Sequence, residues 1–106
     1  MDHAIIIHRG RTVIVTVAVG MDVSADVMTS EIRTEEDPES ELIASWLVTF
    51  LTDGTDGELI LTLDNLITQA IEHSNGFMDI KRISSGEPLS VFDKALPVSI
   101  RNAVTA

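Results

Sequence analysis

Four valines at every second position, Val13, Val15, Val17 and Val19, limit what this chain can fold into more than any other feature. A two-residue repeat of branched aliphatics suits a pleated strand and cannot line one face of a helix. Thr12, Ile14, Thr16 and Ala18 fill the alternate places, and Gly20 ends the run. The pattern recurs. Ala4 to Ile7 is a short apolar strand, set apart by Arg9-Gly10-Arg11. Val27 to Arg33 sets Met28, Ser30 and Ile32 against Val27, Thr29, Glu31 and Arg33, a strand with one wet face. Glu58 to Leu63 alternates Leu59, Leu61 and Leu63 with Glu58, Ile60 and Thr62. Phe77 to Ile83 and Leu89 to Phe92 flank a turn at Ser84 to Pro88, and Leu96 to Ile100 closes the chain. Pro97 has no amide hydrogen, so that last strand is expected at an edge or bulge.

Leu42 to Leu51 differs, being apolar on both sides. Leu42, Ala44, Trp46, Val48 and Phe50 share one face; Ile43, Ser45, Leu47, Thr49 and Leu51 share the other. Two explanations stand: a central strand whose outer face is covered by a helix, or a strand buried against another subunit. The second makes Trp46, Phe50, Leu47 and Ile43 a protein interface, since large apolar and aromatic anchors dominate binding energy. The one helical stretch is Asp64 to Glu72, with Asp64 or Asn65 as cap, Leu66, Ile67, Ala70 and Ile71 on one face, and Asn75-Gly76 after it. Roughly seven strands at about 8–15-residue spacing with one short helical connector predict a single all-β domain over 1–106. The expected form is an immunoglobulin-like antiparallel β-sandwich or a small barrel.

Charge narrows the partners. Seven basic against seventeen acidic side chains give −10, which repels phosphate backbones and anionic lipid, so neither nucleic acid nor a membrane surface is an expected partner. The longest apolar run, Val13 to Val19, is far short of the ~20 residues that span a bilayer. Met1-Asp2-His3 has no basic character and Ile5-Ile6-Ile7 is too short for a signal sequence, so export by a signal is not expected. With no cysteine, disulfides and thiolate metal sites are excluded.

Chemistry finds little footing. His3, His8 and His73 lack metal-ligand spacing. Asp53-Gly54-Thr55-Asp56-Gly57-Glu58 hints at calcium, but its ligand spacing is wrong and a hairpin turn explains the same residues. Glu35, Glu36, Asp37, Glu39 and Glu41 crowd one solvated loop, whereas acid–base catalysis needs carboxylates in contrasting environments. No nucleophile elbow or phosphate-binding glycine pattern occurs. No enzyme activity and no cofactor are expected.

The order of elements resembles the immunoglobulin-like domains of tailed-phage virion proteins, such as the N-terminal domain of baseplate upper proteins. The resemblance runs through Ile5-Ile6-Ile7, Gly10-Arg11-Thr12, Asp22-Val23-Ser24, Ile32-Arg33, Gly57 to Leu63, Gly76-Phe77-Met78-Asp79-Ile80-Lys81 and Gly86-Glu87-Pro88. Arg11 stands where that family often has an acidic residue, and Ala25 replaces a usual glycine. The resemblance implies a virion structural protein assembled in the bacterial cytoplasm. Its partners would be major capsid or tail proteins, with the chain in many copies or as a homo-oligomer. A capsid cement or decoration role and a tail, neck or baseplate adaptor role fit equally. A carbohydrate- or host-surface-binding module is the alternative, and a hydrolase the third.

Overall fold

The structure is a computed structural model that describes residues 5–91 and 94–103; the expectations at His3, Ala4 and Phe92 lie outside them. The strands are β1 (Ile5–Arg9), β2 (Val13–Ala18), β3 (Val27–Arg33), β4 (Leu42–Phe50), β5 (Glu58–Leu63), β6 (Asn75–Ser84), β7 (Glu87–Ser90) and β8 (Leu96–Asn102); helix α1 (Asn65–Gln69) lies between β5 and β6. They form one mixed sheet in the order β1-β8-β6-β3-β4-β5-β2, with β7 beside β6. β1 and β2 occupy opposite ends of that order although only residues 10–12 separate them. The sheet therefore rolls until its two ends approach, nearly a barrel. β4 makes the bend, pairing with β3 up to Trp46 and with β5 from Leu47.

The all-β expectation holds, with corrections. Eight strands are present among the described residues against the roughly seven expected, and β6 and β7 form the hairpin expected around Ser84 to Pro88. The sheet is not wholly antiparallel, since β1 runs parallel to β8. A parallel pair needs a long crossover, and nearly the whole chain supplies it. Nor is β8 an edge strand among the described residues: β1 pairs with it from Val98 to Asn102 on one side and β6 from Leu96 to Ser99 on the other.

Inside the roll the alternation does what strand periodicity requires. Val13, Val15 and Val17 face Leu63, Leu61 and Leu59, and Val48 and Phe50 approach Leu61 and Leu59 from the other side. Ile7, Ile32, Leu59, Leu61, Leu63 and Ile80 are fully buried. The helix is shorter than expected, ending at Ala70, and Asn75-Gly76 opens β6 instead of capping it. Asp64 caps its start, accepting the Leu66 N–H at 2.9 Å. The inward face is also not the expected one: Leu66 and Ile67 are exposed while Thr68 and Ile71 are buried. Thr68 turns inward because its hydroxyl donates to the Arg11 carbonyl at 2.8 Å. Arg9 fastens the same end, donating to the Ile71 and His73 carbonyls at 2.8 and 2.7 Å.

At the opposite end two turns interlock. Val19 donates to Gly57 and Val23 to Gly54, at 2.7 and 2.9 Å, and Val23 is fully buried beneath them. Asp22 accepts from the hydroxyl and the N–H of Ser24, and Asp53 from those of Thr55. These bonds hold both exposed carboxyls below the usual carboxylate range. A lowered folded pKa adds stability that is complete above the unfolded value of about 3.9 and disappears as pH falls through the folded one. This end of the molecule is expected to loosen only in acid, below about pH 4. A carboxyl-carbon NMR titration checks it, and midpoints at or above the ordinary Asp value for Asp22 and Asp53 would contradict it.

Candidate docking face

Because β4, β5 and β2 pair side by side, their outward residues stand in three rows. Ile14, Thr62 and Leu47 form the first; Thr16, Ile60 and Thr49 the second; Ala18, Glu58 and Leu51 the third. At a strand spacing of about 4.8 Å each row spans about 10 Å, so the side chains touch across the strands. Ile14 is 66% exposed, Leu47 63% and Leu51 45%. Glu58 is the one charged residue among the nine. A chain with −10 net charge has thus kept one sheet face almost free of charge.

The far side is the reverse. Glu31, Arg33, Asp79 and Lys81 point outward from β3 and β6, and Glu35, Glu36 and Asp37 form the wall of a groove of about 580 Å³ with Phe77 and Pro38. Arg33 folds the acidic loop over, donating to the Ser40 carbonyl at 2.7 Å and pairing with Glu31 at 3.0 Å. The loop carboxylates from Glu35 to Glu41 are solvent-exposed, as expected of a charged connector.

Of the four residues read from the sequence as an interface, the fold places one at the surface. Trp46 is 5% exposed and belongs to the core. Phe50 and Ile43 are half-buried against that core. Ile43 reaches it through a β-bulge: Arg33 faces Leu42 and Ile32 faces Ala44, leaving Ile43 as the extra residue. A bulge re-aims side chains, and here Ile43 leans over Gly76. Leu47 alone stands free. The helix does not cover it, because α1 packs against β1. Sequence reasoning missed Ile14 and Ile60, which complete the face. Their signal was present, since an apolar residue at an alternate position of a strand otherwise wet on that side marks an outer patch.

Other chemistry is sparse. His8 is exposed, and His73 lies 3.5 Å from Glu41. Among the described residues no three His, Asp or Glu side chains gather at metal-binding distance. Asp53 and Asp56 serve the turn, accepting from Thr55 and from the Glu58 N–H. What the fold and this face define is an all-β domain with one charged and one nearly uncharged outer side. No protein-family model matches the chain, and no curated protein matches it.

Proposed function

We propose that the chain is a non-enzymatic assembly module of a tailed-phage particle that docks onto a capsid or tail protein through the outer face of β4, β5 and β2. The observation that carries the docking is the nearly uncharged face with Ile14 and Leu47 more than half exposed, on a chain otherwise strongly acidic. Exposed apolar patches rimmed by polar groups mark partner surfaces. Glu58 stands in its third row with Asp56 in the adjoining turn, so the matching surface has an apolar centre and a basic group at one end.

The finer fold within the all-β class is read here as immunoglobulin-like. In that sandwich the second, fifth and fourth strands share one sheet, and the third, sixth and last share the other. The pairings β2–β5–β4 and β3–β6–β8 follow this scheme, and the passage of β4 between β3 and β5 joins the two. β1 departs from it by pairing with β8. A glycan-binding module is favoured less, because aromatic platforms need exposure. Among the described residues, Trp46 is buried and Phe50 and Phe77 are half-buried.

The test is incorporation into particles. Wild-type chain is expected in density-purified virions of the phage that encodes it, detected by mass spectrometry. Leu47→Glu, which keeps the fold because it faces solvent, is expected to lower incorporation at least tenfold, as burying an unpaired charge in an interface costs several kcal/mol. Virions without the chain, or full incorporation of the variant, would overturn the proposal; binding on a glycan array that survives Leu47→Glu would favour the alternative.

A further inference from the structure

Among the described residues three strands have an edge that no other strand covers: β1, β7 and β2. Natural sheets guard such edges with charge, proline, bulges or brevity. β1 carries His8 and Arg9 and has α1 packed against it. β7 is four residues long and contains Glu87 and Pro88. β2 has none of these devices. Its six residues, Val-Ile-Val-Thr-Val-Ala, pair one-to-one with β5 without a bulge. The Val19 N–H points toward β5, donating to Gly57, so by alternation the backbone groups of Ile14, Thr16 and Ala18 point to the open side. All three residues are exposed.

We propose that β2 pairs antiparallel with β2 of a second copy about a twofold axis through Thr16. In that register Thr16 faces its own counterpart, Ile14 faces Ala18, and Val15 faces Val17. About six hydrogen bonds form, because each edge-pointing residue of one copy exchanges two with its partner. Inward residues meet inward ones, and no charge opposes another. The acidity of the chain does not forbid it. Glu58 lies beside Ala18, which puts the two copies of Glu58 about 20 Å apart on strand and residue spacings, well beyond a Debye length of about 8 Å in physiological salt. The carboxylates of the acidic loop line the opposite outer side. Pairing also makes the rows of Ile14, Ile60 and Leu47 continuous across both copies, a six-stranded face where one copy has three. The inference rests on the edge and not on the docking face, so each can fail without the other.

The absence of cysteine gives a clean test. A spin label on Thr49→Cys, an exposed position in the Thr16 row, is expected to report a separation of about 24 Å between copies, five strand spacings. Sedimentation equilibrium is expected to show a dimer that Thr16→Pro weakens at least tenfold and Leu47→Glu leaves intact. Thr16→Pro removes only an N–H that faces the open side, so its monomer keeps the β spectrum in circular dichroism. Thr16→Lys should give the same loss by placing like charges opposite each other. A wild-type chain that stays monomeric at millimolar concentration would overturn the pairing. So would a dimer that survives both Thr16 variants, or a label separation beyond about 40 Å on the same spacings.

Discussion

Trp46→Ala is expected to lower the free energy of unfolding by about 3–5 kcal/mol, the range for emptying a large aromatic from a packed core. The side chain stands where β4 leaves β3 for β5, opposite Ser30 and among the buried aliphatics of the roll. Only three other aromatics exist in the chain, so no neighbour is large enough to fill the space. Against a total stability of about 5–15 kcal/mol for an ordinary domain, the loss is a large fraction of what holds the fold. Trp46→Phe should cost about 1 kcal/mol or less. It keeps most of the volume and removes an indole N–H that is buried without a hydrogen-bond partner. Urea unfolding followed by circular dichroism checks both, since fluorescence is lost with the single tryptophan. A Trp46→Ala variant within 1 kcal/mol of wild type would mean that the residue is not a core element. Binding lost on this substitution reports folding, and Leu47 is the position that reports docking.

The contrast between those two neighbours shows what sequence made legible and what it did not. Alternation located every strand to within a few residues, because a period of two leaves little freedom in which residues share a face. It also separated Trp46 from Leu47. It could not say which of the two faces was the inner one, since both sides of Leu42 to Leu51 are apolar and inwardness is set by neighbours distant in sequence. Ile43 illustrates a further limit. A one-residue bulge against Ile32 and Arg33 moves it from the outer to the core side, and nothing in the local pattern announces a bulge. The helix failed for another reason. Five residues are too few for its own periodicity to decide its orientation, which is set by tertiary contacts: Thr68 bonds to the Arg11 carbonyl and Ile71 is buried. The parallel β1–β8 pair joins the first and last strands, a contact beyond the reach of any local signal.

Gly57→Ala is expected to destabilise the protein by about 2–5 kcal/mol through two separate causes. Gly57 has φ of +73°, a left-handed conformation that costs a residue with a Cβ about 1–2 kcal/mol. The added carbon would also stand 2.3 Å from the Met21 carbonyl oxygen and 2.8 Å from the Met21 nitrogen. Backbone atoms cannot swing aside as a side-chain tip can, so the Gly20–Asp26 turn must move, at about 1–3 kcal/mol for overpacking. That turn is held by the bonds from Val19 to Gly57 and Val23 to Gly54, and it caps the core with Val23. Damage at Gly57 therefore spreads to the whole end of the roll. Gly10→Ala is the control: its φ of +80° carries the same conformational cost, but its Cβ meets nothing within 4 Å. The expected ordering is a loss of about 1–2 kcal/mol for Gly10→Ala and clearly more for Gly57→Ala, read from thermal and urea midpoints. Equal losses would mean that the interlock of the two turns adds nothing beyond backbone conformation.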